Sequence, residues 1–131
     1  MSKPVRLQLS RKKGFDLQAM SLATNGLPAV NVARPGEWGN PFTVKRVTQA
    51  IFHRTEWWVE KGASIWRYAT KPEAATAAVA LFKVHAESAG NEKWRERARL
   101  ALQGKNLACW CKAGEACHAA VLLCIANPSG E

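Results

Sequence analysis

Apolar residues along this chain change their period several times, and each change marks an element. Residues 5–9 alternate as Val-Arg-Leu-Gln-Leu, the period of a half-buried strand, and Arg11-Lys12-Lys13-Gly14 ends it. From 15 to 28, Leu17, Met20 and Leu22 stand at irregular intervals before a Thr-Asn-Gly turn, a pattern of irregular structure or one short helix. Residues 29–33, Ala-Val-Asn-Val-Ala, predict a second strand, stopped by a loop rich in proline and glycine. From Thr43 onward Val47, Ile51, Thr55 and Trp58 lie three or four apart with Ala50 and Phe52 beside them, which predicts a helix ended by Gly62. Residues 64–69 fit neither period.

Thr70-Lys71-Pro72-Glu73 is a helix start: Thr70 caps, Pro72 suits the first turn, and Glu73 stands three after the cap. That helix carries Ala75, Ala78, Val79, Phe82 and Ala86 inward and stops at Gly90, with His85 on its apolar flank as a packed or partly exposed residue. A further helix over about 92–103 turns Trp94, Ala98, Ala101 and Leu102 inward and closes at Gly104. The apolar run from Leu107 to Trp110 then reads as a buried strand, and the run ending at Asn127 as a helix. Strands separated by helices argue for one α/β domain over residues 1–131, with a short, largely parallel sheet and a fraying tail at 128–131.

Composition narrows the function classes. No apolar run approaches the length of a membrane span and the first 15 residues are basic or polar, so neither a membrane segment nor a secretion signal is expected. The chain holds 19 Lys and Arg against 10 Asp and Glu, a formal net charge of +9, which suits a nucleic acid, a nucleotide or another polyanion as partner. Its four cysteines crowd at one end rather than forming a distributed disulfide framework, an arrangement expected in the cytoplasm.

Those cysteines carry the candidate chemistry. The stretch Cys109-Trp110-Cys111 passes through Lys112-Ala113-Gly114-Glu115 to Cys117-His118 at a helix start, where free amides and the positive dipole end favour a thiolate or a bound anion. Three readings stay open. Cys109, Cys111, Cys117 and His118 form a legitimate zinc set, although the first pair is tighter than the usual two-residue knuckle. Alternatively Cys111 or Cys117 is an activated nucleophile with His118 as its acid or base. The third reading makes them small buried residues, which fits Cys124 best, seven positions after Cys117 on an apolar helix.

The second candidate is the loop Arg34-Pro35-Gly36-Glu37-Trp38-Gly39-Asn40-Pro41-Phe42. Two prolines and two glycines give it a defined shape, either as a rigid connector that tucks Trp38 and Phe42 inward or as a ligand-facing loop. In the latter, Arg34 meets an anionic group, the backbone at Gly36 and Gly39 approaches the ligand, and Asn40 bonds to it or braces the turn. Both unusual loops follow predicted strands. If those strands are parallel neighbours, the loops open on one edge and form one pocket.

The Ala33-Arg34-Pro35-Gly36-Glu37-Trp38-Gly39-Asn40-Pro41-Phe42 stretch and the Leu107-Ala108-Cys109-Trp110-Cys111 stretch with Cys117-His118-Ala119 resemble the domain of unknown function 4326 family, found in bacteria, archaea and their viruses. The resemblance spans about residues 11–127 and implies a Rossmann-like fold; it names no reaction. It groups Arg34, Trp38, Asn40, Cys111, Cys117 and His118 as one constellation. The expectation is an enzyme or ligand-processing domain directed at a nucleotide or nucleic acid. In it Arg34 and the helix amides hold the anion, Trp38 or Trp110 stacks on a ring, and Cys111 or Cys117 acts with His118. The alternative is a non-catalytic, basic nucleic-acid-binding module with a structural, zinc-holding cysteine cluster; a third is an accessory domain for protein contacts.

Overall fold

The structure, a computed structural model, describes residues 3–49, 51, 54–112 and 114–128. In chain order the described strands and α-helices are β1 (Arg6–Gln8), α1 (Leu17–Asn25), β2 (Ala29–Asn31), β3 (Thr43–Gln49), β4 (Arg54–Lys61), β5 (Ser64–Tyr68), α2 (Lys71–Glu87), α3 (Glu92–Leu102), β6 (Asn106–Cys109) and α4 (His118–Ala126), with a 3-10 turn at Ala89–Asn91 between α2 and α3. They form a mixed α/β arrangement with two small sheets, a parallel one ordered β1-β6-β2 and an antiparallel meander β3-β4-β5. No described helix is long and apolar enough to cross a membrane.

The parallel sheet is built around β6, whose four residues are all buried. Leu107 and Cys109 face the main core with Phe82, Leu102 and Leu122, while Ala108 faces a smaller cluster with Leu7, Leu9 and Ala29 beside α1. A strand covered on both faces loses the polar alternation of a half-exposed strand, which is why β6 reads as a continuous apolar run. Buried Asn106 ties this sheet to α1. Its Oδ1 accepts from the Val5 amide at 2.9 Å and its Nδ2 donates to Ser21 Oγ at 2.8 Å and Asn25 Oδ1 at 2.7 Å. The helix α1 itself starts at Asp16, which accepts from the Ala19 amide, and ends at Gly26 in the left-handed region.

The expected capping box opens α2: Thr70 Oγ1 accepts from the Glu73 amide at 3.3 Å and lies 2.8 Å from Glu73 Oε1. The helix expected over 43–62 is absent, and the chain there forms β3 and β4 with β5 added over part of the ambiguous stretch. Ala50 and Phe52, which belonged to that expectation, lie outside the described residues. Thr43, Val44, Val47, Thr48, Thr55, Trp57, Trp58 and Val59 explain the outcome. Such β-branched and aromatic side chains lose freedom on a helix and pack well on a pleated sheet. Pairing sets Val44 against Val59 and Val59 against Trp66, and this apolar face lies on α2. Gly62, with φ of 58°, supplies the left-handed residue of a two-residue turn between paired Lys61 and Ser64.

Cys124 also departs from expectation. It is exposed, not core. Its seven-residue spacing from Cys117 does not transmit a helical phase, because Cys117 is the extended cap residue (φ −146°, ψ 136°) and stands outside α4.

Candidate active site at the edge of the parallel sheet

Because β2 and β6 are parallel neighbours, the loops that follow them open at one edge, and the segment after β1 joins them there. The edge encloses a cavity of about 350 Å³ in which Arg11, Arg34, Asn40 and Trp110 stand with Cys109 and Cys117. Among the described residues its lining contains no acidic side chain. Ligand sites in open α/β sheets occupy this position because strand ends and diverging connections leave a crevice there.

Three thiols meet in the cavity. The Sγ atoms of Cys109, Cys111 and Cys117 all lie within 4.8 Å of one another. Cys109 and Cys117 are in hydrogen-bond contact at 2.7 Å. Arg6 enters from β1: its Nη1 donates to the Cys111 carbonyl at 2.7 Å and approaches Cys109 Sγ at 3.4 Å, while Nη2 donates to the Lys112 carbonyl at 3.1 Å. The Cys117 thiol donating to Cys109 holds the Cys109 thiol down to about 5, against the opposing effect of burial and with help from Arg6. The same contact pushes Cys117 up, since ionising it would place two charges in contact. Burial likewise raises Cys111. The negative charge of the cluster therefore sits on Cys109, next to a guanidinium.

This distribution differs from the one a helix start alone predicts. The Ala119 amide does favour a Cys117 thiolate, but the shared proton and burial outweigh it. By sequence Cys109 is a metal ligand or a small buried residue, not the nucleophile, and Arg6 is one basic residue of a strand. Arg6 shares the polar phase of an alternating strand with Gln8, so local spacing does not single it out; parallel pairing of β1 with β6 is what brings it to the thiols.

His118 is buried, donates from Nε2 to the Val32 carbonyl at 2.8 Å, and meets Phe82 edge to face at 5.5 Å. Burial lowers its pKa, partly offset by the Val32 and Trp38 carbonyls, so the ring is neutral and braces β2 against α4. Among the described residues it is not one of the clustered metal-ligating groups, which are the three cysteines alone. Two thiolates on one tetrahedral zinc stand about 3.8 Å apart, wider than the Cys109–Cys117 contact.

In the glycine-rich loop Arg34 reaches back, its Nη1 donating to the Asn40 carbonyl at 3.0 Å. Gly39 permits that fold: a Cβ there would stand 2.8 Å from Arg34 Cγ and 3.1 Å from its Cα. Buried Asn40 braces the turn, accepting from the Phe42 amide at 2.9 Å and donating to the Ala78 carbonyl at 3.2 Å. Trp38 packs on Trp94 with centroids 5.6 Å apart, as an inward anchor, whereas Trp110 is exposed at the cavity rim with the Arg11 guanidinium 4.7 Å over its ring. The edge thus gathers Arg34, Asn40, Trp110 and the cysteines and leaves Trp38 in the packing.

Comparison with known proteins gives one family: the profile described as "Domain of unknown function (DUF4326)" matches residues 16–128. No curated protein and no solved structure matches the chain.

Proposed function

The chain belongs to the domain of unknown function 4326 family, and on that premise we propose that it is a thiol-dependent enzyme acting on a phosphate-bearing, ring-containing ligand of the nucleotide class. The observation that carries this reading is the Cys109 thiol, held near 5 between Cys117 and Arg6, in a cavity that also contains Arg34 and the exposed ring of Trp110. A thiolate is the nucleophilic form of cysteine, and one formed well below neutral pH is present in full at physiological pH. Arg34 and Arg11 supply the positive charge for a phosphate, and Trp110 the face for a ring. The binding edge is that of a Rossmann-like sheet, with the ligand beyond the carboxyl ends of parallel strands.

In this reading Cys109 Sγ adds to an electrophilic sp2 carbon of the ligand's ring, so that a C–S bond forms as the C=C or C=N π bond at that carbon opens. The π electron pair, displaced onto the neighbouring atom, takes the proton that Cys117 shares with Cys109 and leaves the negative charge on Cys117 Sγ. Once Cys109 is no longer an anion, the contact that held the Cys117 proton is gone, so the pair is arranged to release that proton as the bond forms.

Iodoacetamide alkylation followed by peptide mapping tests the reading. Cys109 is expected to react with a midpoint near pH 5, to be protected by nucleoside monophosphates, and to lose that protection in Arg34→Ala. Reaction of Cys109 only in the alkaline range, or no protection by any of the common monophosphates, overturns it. The second reading, a structural zinc site in a non-catalytic module, is favoured by the clustering of three thiols; stoichiometric zinc in protein purified under reducing conditions, with all three thiols unreactive, would select it.

A further inference from the structure

The cavity does not end at the cysteines. Two elements that wall it continue outward side by side, and both change from apolar to basic as they leave it. On β3, Val44 lines the cavity and Arg46, two residues on and on the same face, is exposed. On α2, Val79 and Ala75 line the cavity and Lys71, one further turn toward the N-terminus, is exposed. Trp57 joins these two ends. It is the cross-strand partner of Arg46, it is half-buried, and the Lys71 ammonium lies 5.8 Å from its ring centre.

From this we infer that the ligand of the site is a single-stranded nucleic acid: one nucleotide enters the cavity by Arg34 and Trp110, and the adjoining strand runs between β3 and α2 onto Arg46, Trp57 and Lys71. The inference rests on the nucleotide reading above and extends it from a monomer to a chain. Charge complementarity supports it. Arg46 and Lys71 continue the positive charge of Arg11 and Arg34, and the chain carries +9 overall. Interleaving of cations with aromatic faces supports it as well, because a strand presents phosphates and flat rings in alternation. Here Arg11 with Trp110 marks the cavity rim and Lys71 with Trp57 the far end of the same track. A free mononucleotide would use the first pair and leave the second idle.

The test uses the full chain and a labelled oligodeoxythymidylate or oligouridylate of about 12 nucleotides, within the range of single-strand sites. Fluorescence anisotropy should show the oligomer binding at least tenfold more tightly than the monophosphate at low salt. The double variant Arg46→Glu, Lys71→Glu should weaken the oligomer by about tenfold or more and, because two phosphates are no longer neutralised, flatten the salt slope by about 1.4. Protection of Cys109 by the monophosphate should be unchanged in that variant, which also reports that it is folded. Trp57→Phe should retain oligomer binding and Trp57→Leu should weaken it, as stacking requires. An oligomer that binds no better than the monophosphate, or an affinity untouched by the charge reversals, overturns the strand path while leaving the nucleotide cavity standing. Oligomer binding that follows the charge reversals without protecting Cys109 keeps the strand path and removes the thiol reading.

Discussion

The parallel sheet and the meander handle polar groups in opposite ways. In the parallel sheet the central strand is buried on both faces, and its polar residues are either fully bonded within, as Asn106 is, or displaced to the carboxyl edge, where Arg6, Arg34 and the cysteines collect. In the meander one face packs on α2 while the opposite face carries Lys45, Trp58 and Arg67 in register, with the Arg67 guanidinium 4.9 Å over the Trp58 ring. The lesson is about where a charge acquires leverage. At the carboxyl edge, the proton that Cys117 shares and the nearby Arg6 guanidinium hold the Cys109 thiol well below its ordinary range in spite of burial; on an open sheet face, charged side chains stay solvated and modify mainly the surface potential.

The sharpest way to break this contrast is at Asn106. Asn106→Ala leaves the Val5 amide, Ser21 and Asn25 without their buried partner and should cost about 3 kcal/mol in chemical denaturation, with little packing to compensate. A loss under about 0.5 kcal/mol would mean that the polar pin does not hold the parallel sheet together. The next effect is electrostatic. Arg6→Gln removes the cation that favours the Cys109 thiolate, so the thiol becomes a weaker acid and its alkylation midpoint should move up from near 5 by about one pH unit, close to 1.4 kcal/mol. An unmoved midpoint would assign the whole depression to Cys117. The smallest effect belongs to the meander. Gly62→Ala forces a side chain into the left-handed region at the β4–β5 turn and should cost about 1 kcal/mol. The Cys109 midpoint should stay where it is in that variant, because the strained turn belongs to the other sheet.

Much of the fold was legible because it depends on near neighbours in the chain. The strands at 5–9, 29–33 and 107–110 announce themselves by apolar runs bounded by breakers, and α2 by Thr70 and Glu73 three positions apart. The expected adjacency of the two loops followed from that sequence of elements, and the β2–β6 pairing bears it out. The segment from 43 to 62 misled because Val47, Ile51, Thr55 and Trp58 happen to repeat at helical intervals. Its strand character rests on β-branched residues whose value appears only when a partner strand and α2 lie against them. Cys124 was misjudged because the helical phase begins only at His118 and turns it outward, whereas of the two readings open for Trp38 the inward one holds, because Trp94 on a distant helix packs on it.

The amino-acid sequence by itself determined the α/β alternation, the capped helices, the two constrained loops and the excess of positive charge, since period, capping and backbone restriction act between residues a few positions apart. Tertiary structure alone decided which sulfur bears the charge. Arg6 reaches Cys109 across 103 positions of sequence, and Cys117 shares its proton only after β6 and α4 have packed. Ionisation depends on distance and burial in space, and local spacing along a chain fixes neither.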